Sequence, residues 1–163
     1  MTLAAAASFQ PVARKEHLDR LAALPPRPAF TPELWAKVHG EVQEQLGLLE
    51  TEVRRKVAGV RVDAGRTNGD MFFLFSYRTF SMPDSALDPV VVGITFTPAH
   101  EGVTVEADVS GEQTGDWIAA VPGKPVAHSR EEVLAMACES ARKLCQSAEA
   151  IAAALQDPAR RVE

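Results

Sequence analysis

The chain has 163 residues, 46% of them hydrophobic and 24% charged, with a formal net charge of −5 and a pI of about 5.4. That length suits one domain with a real core. The acidic balance argues against a general nucleic-acid binder, which carries a basic face, and against docking on anionic membranes.

Residues 1–12 read as a loose tail and 13–157 as a single α+β domain. The alanine-rich start, Met1 to Ala7, lacks the basic flank and long apolar core of a signal peptide. Ala13 to Leu24 has the spacing of a short helix, stopped by Pro25-Pro26-Arg27-Pro28. Thr31 is then an N-cap with Pro32 at the first helical position. A helix is expected from there to about Lys56, with Trp35, Val38, Val42, Leu46, Leu49 and Val53 as its apolar stripe. Glu50 with Arg54, and Glu52 with Lys56, are set for ion pairs on its wet side.

From Val57 to Val121 the period changes to two, which predicts strands. Asn68-Gly69 favours a two-residue type I′ hairpin turn, because both central residues need positive φ. Thr67 then pairs with Asp70, Val62 faces Phe75 and Val60 faces Tyr77. A second hairpin around Pro98 to Gly102 aligns Phe96 with Val103 and Ile94 with Val105. A fifth strand spans Asp116 to Val121. Ser129 and Glu132 form a capping box for a last helix running to about Leu155, where Asp157-Pro158 ends it. The fold class is therefore α+β, an antiparallel β-meander of four to five strands packed on one face by an N-terminal helix and a long C-terminal helix.

Counting along the two hairpins divides the sheet. One face collects Val60, Val62, Phe73, Phe75, Tyr77, Val92, Ile94, Phe96, Val103, Val105 and Val109 and is expected to be the core. The other collects Arg61, Asp63, Ser76, Arg78, Thr95, Thr97, Glu106 and Asp108, with Phe72 and Leu74 as an apolar spot among the charges. A plain solvated face explains these residues too. The functional reading makes Arg61, Phe72, Arg78, Thr95, Glu106 and Asp108 a ligand or partner site, with no catalytic residue assigned.

Chemical motifs are missing. The sequence has no G-x-x-x-x-G-K-[ST], no G-x-G-x-x-G, no H-E-x-x-H and no C-x-x-C. His17, His39, His100 and His128 sit on separate segments, so neither a metal nor a cofactor is expected. Ser76 has no histidine placed by sequence to activate it. Cys138 and Cys145 lie about 10 Å apart along one helix, too far to bridge. Free thiols make cytoplasm the expected compartment.

In size and element order the plan is loosely similar to small secretion-chaperone-like and bacterial immunity-like proteins. Secretion chaperones place a helix in mid-sheet, where this sequence has none, and no residue carries over. The expected function is a non-enzymatic protein-binding module, chaperone-like or regulatory, acting as a homodimer. The alternative is a small-molecule-binding protein or small enzyme using the polar sheet face. The dimer is expected because the seam from Leu134 to Leu155 exceeds the span of a small sheet, leaving Ile151 and Leu155 to meet a partner.

Overall fold

The computed structural model describes residues 31–67, 73–83, 86–100 and 102–162. The tail, the helix expected at Ala13 to Leu24, the Asn68-Gly69 turn and Phe72 lie outside the described residues.

Helix α1 spans Pro32–Lys56. Thr31 caps it, its Oγ1 accepting from the Leu34 amide at 3.1 Å. Its stripe is buried as expected from Val38 to Val53, but Leu34 rather than Trp35 is the fully buried residue of the first turn. The strands are β1 Arg61–Arg66, β2 Leu74–Ser81, β3 Val90–Ala99, β4 Gly102–Gly111, β5 Trp117–Ala120 and β6 Val126–Ala127. The sheet order is β1-β2-β3-β4-β5, all antiparallel, and β6 also pairs with β4. It is a meander with a short sixth strand, Val126–Ala127, beyond the five expected.

Helix α2, Arg130–Leu144, begins with Ser129 Oγ accepting from the Glu132 amide at 3.1 Å. The reciprocal arm caps one residue earlier, the His128 amide donating to Glu132 Oε2 at 2.7 Å. A 3₁₀ turn at Cys145–Ser147 interrupts the expected single helix before α3, Ala148–Ala154. Helices α2 and α3 pack on α1 as well as on the sheet. Ile151 and Leu155, expected to project, are buried at 0% and 2%. The surplus seam that motivated a dimer is thus used inside the chain. Of the expected helix pairs, Glu50–Arg54 forms, while Glu52 takes Arg55 and Lys56 reaches Glu149.

The β3–β4 hairpin turns one residue further along the chain than expected, its last pair being Ala99 with Gly102. Phe96 faces Val105 and Ile94 faces Ala107, a displacement of two residues, which keeps every side chain on its expected face. The β1–β2 hairpin is displaced by five. Val62 faces Phe80 rather than Phe75, and the last closed pair is Thr67 with Phe75. An odd displacement turns β2 over. Leu74, Ser76 and Phe80 are buried towards the helices, while Phe73, Phe75 and Tyr77 are on the opposite face. The expected core positions of Phe73, Phe75 and Tyr77 are corrected accordingly.

A buried carboxylate fixes the far end of the sheet. Asp88 accepts from the amides of Gln113 and Thr114 and from the Thr114 hydroxyl, at 2.8, 3.1 and 2.8 Å, with Arg160 at 3.7 Å. Burial alone would raise its pKa. The three hydrogen bonds and the Arg160 charge outweigh that and hold it below the ordinary carboxylate value.

Candidate functional site

The helices cover one face of the sheet. The other is open among the described residues, and cross-strand pairing orders its side chains in rows. One row runs Gly65, Tyr77, Gly93, Asp108, Ala120; the next runs Phe75, Thr95, Glu106. Phe73, immediately before β2, is 40% exposed, and Trp117 on β5 is 67% exposed.

Two glycines shape this surface. A Cβ at Gly93 would stand 2.6 Å from Phe75 Cε1, and one at Gly65 would stand 2.8 Å from the Tyr77 hydroxyl. Both rings therefore lie down across neighbouring strands in space that only glycine leaves. They stack on each other, with centroids 5.0 Å apart and planes 18° apart. The result is an aromatic floor of two stacked, half-buried rings, each covering part of one face of the other.

Carboxylates stand on the β4 side of that floor. Asp108 is half-buried, and burial, then the neighbouring Glu106 charge, raise its pKa above the ordinary carboxylate value. Glu106 pairs with Lys124 at 3.4 Å. Glu106, Trp117, Ala120 and Lys124 line an open cleft of about 340 Å³ where β4 passes β5.

Thr95, Glu106 and Asp108 of the expected site share this face. Arg61 shares it too, but on edge strand β1, three strands from β4 and thus about 14 Å away at the usual strand spacing. Phe72 is outside the described residues. Arg78 is on the opposite face, facing Val92 and, beyond it, Val109. Arg78 and Asp108 therefore belong to no common site, and the expected four-charge cluster is corrected. The overturned register of β2 is the cause.

On the helix side Arg78 anchors a polar stripe of α1. It donates to Gln43 Oε1, the Gln43 carbonyl and Glu50 Oε1 at 2.8, 2.9 and 2.8 Å. Glu50 also pairs with Arg54, which donates to the Val60 carbonyl at 2.9 Å. Gln43 donates to Ser76 Oγ at 3.2 Å and to the Tyr77 carbonyl at 3.0 Å. Residues 39, 43, 50 and 54 share one side of α1, next to its apolar stripe. The helix thus supplies partners for each polar group that β2 turns inward, as burial requires.

The fold does bring a histidine to Ser76: His39 Nδ1 is 2.7 Å from its Oγ. Burial, then the Arg66 charge, lower the His39 pKa. Ser76 is fully buried and also bonded to Gln43, so no substrate carbonyl can approach it in this arrangement. The pair joins α1 to β2.

Sequence reasoning missed Phe73, Phe75, Tyr77 and Trp117 as surface residues. The available signal was Gly93, a glycine in the middle of an otherwise bulky strand, which calls for a large neighbour lying over it. No family model, curated protein or solved structure matches this chain. No helix among the described residues is long and apolar enough to cross a membrane.

Proposed function

We propose that the chain is a non-enzymatic protein-binding module, chaperone-like or regulatory, which receives a basic segment of another protein on the open sheet face. The observation that carries this reading is the stacked Phe75–Tyr77 pair beside Asp108, which, unlike Glu106, holds no ion pair among the described residues. Aromatic rings attract Lys and Arg side chains, and a carboxylate at the rim selects the same charge. Exposed aromatics such as Phe73 and Trp117 on this side mark contact sites, and Tyr and Trp lead among residues that carry binding energy. The overall charge of −5 draws in the same partners. Homodimerisation belongs to the reading, as does a reducing, cytoplasmic setting for the free thiols of Cys138 and Cys145.

The alternative, a small-molecule binder or small enzyme on this face, would use the Glu106–Trp117–Lys124 cleft. Its carboxylate is already matched by Lys124, which leaves less to recognise a ligand.

The test is fluorescence anisotropy with a labelled Arg/Lys-rich peptide, using acidic and neutral peptides of equal length as controls. Binding of the basic peptide alone is expected, weakening at least tenfold in Tyr77→Ala and in Asp108→Lys. Equal binding of all three peptides, or indifference to both substitutions, would overturn the reading.

A further inference from the structure

We infer that two copies of this chain join edge to edge along β1, antiparallel about a twofold axis at Val62, to form one continuous sheet. The inference rests on the dimeric part of the proposed function and not on the peptide site.

Among the described residues strand β1 is the outer edge of the sheet, and Arg61, Asp63 and Ala64 on it are exposed. The Thr67 amide donates to the Phe75 carbonyl, so odd-numbered residues of β1 turn their backbone groups towards β2. By alternation, the amides and carbonyls of Val62 and Ala64 point off the sheet. The strand contains neither proline nor a bulge to stop a second strand from adding.

Charges on an edge strand ordinarily repel a second copy, and a single-sign edge would do so here. Strand β1 instead carries Arg61 and Asp63, opposite in sign, on the same face. Among the described residues neither is held in an ion pair. Antiparallel pairing about Val62 sets each Arg61 opposite the other copy's Asp63, twice over by symmetry. The same register pairs Val62 with Val62 through two main-chain hydrogen bonds and sets Ala64 opposite Val60. The Val60 carbonyl already accepts from Arg54 and has a second lone pair for the incoming amide. A register centred on Ala64 would set Asp63 against Gly65 and leave both charges unmatched. Charge complementarity therefore selects Val62.

A twofold axis perpendicular to the sheet keeps both open faces on the same side. The two Phe75–Tyr77 floors then lie three strand spacings apart across the sheet, about 14 Å, and are also out of step along the strands: Gly65, which faces Tyr77, is three residues from the axis, so the two Tyr77 positions are offset by six residues, about 20 Å. One extended basic segment can reach both.

The test is sedimentation equilibrium on the full chain at tens of micromolar and above, with circular dichroism to confirm folding. The wild type is expected to be a dimer. Arg61→Asp and Asp63→Arg are each expected to weaken it at least tenfold, and the double exchange to restore it to within about threefold, since the pairing is then reversed in sign but intact. Ala64→Pro removes an amide that β2 does not use and is expected to leave a folded monomer. A monomeric wild type, a dimer indifferent to both single reversals, or a double exchange that stays monomeric would overturn the interface. Peptide binding is measured on the same variants. A monomer that still binds the basic peptide fails the edge and spares the site, and a dimer that binds none does the reverse.

Discussion

Phe75 and Phe80 lie on the same strand and point to opposite sides of it. Phe80 is fully buried beneath the helices, so Phe80→Ala is expected to cost about 3–5 kcal/mol in chemical denaturation. Phe75 lies on the open face over Gly93, and Phe75→Ala is expected to cost about 1 kcal/mol, the scale of a lost aromatic contact. Equal costs would show that β2 is not turned over. His39 makes a separate prediction. Its folded pKa lies below the ordinary 6.5, so between the two values the unfolded chain binds the proton more readily. Stability is therefore level above about pH 6.5 and falls as pH drops through the window beneath it. In thermal melts against pH, His39→Gln is expected to lose that part of the slope. Asp88 acts in the more acidic range: its depressed folded pKa means its contribution is present above the ordinary carboxylate value and is lost as pH falls towards the folded one.

At the scale of elements, α1 and β2 explain each other. Strand β2 turns Ser76 and Arg78 inward only because α1 presents His39, Gln43 and Glu50 at helical spacing to receive them. Arg78→Ala is expected to cost about 2–3 kcal/mol, because it leaves the partly buried Glu50 and Gln43 short of partners. The same substitution is expected to leave peptide binding unchanged, which separates the network from the open face. This pairing is also why the sequence misled at β2. Phe73, Phe75 and Tyr77 form a more apolar alternation than Leu74, Ser76, Arg78 and Phe80, so period-two reasoning sends the aromatics inward. The Asn68-Gly69 signal supports that choice by fixing a two-residue loop. No local pattern reports that a helix 28 to 33 residues upstream satisfies the polar alternation. The elements with local punctuation were legible. Thr31-Pro32 opens α1 and Ser129 opens α2 where expected, and the β3–β4 displacement was even, so Thr95, Glu106 and Asp108 kept their face.

Across the whole molecule, the helices seal one side of the sheet and leave the other as a surface of aromatic rings, threonines and carboxylates. That division is the basis of the binding role, and Gly93 holds the centre of it. Gly93→Val would drive a side chain into the Phe75 ring, and the stack is expected to break, with a loss of peptide affinity larger than the loss of stability. The most direct measurement of the central claim is a nitrogen–proton correlation titration of the full chain with the Arg/Lys-rich peptide. Shifts are expected to concentrate on Phe73, Phe75, Tyr77, Thr95, Glu106 and Asp108, with the amides of α1 and α2 unmoved. Shifts gathered on the helical side, or none on β2 and β4, would contradict it.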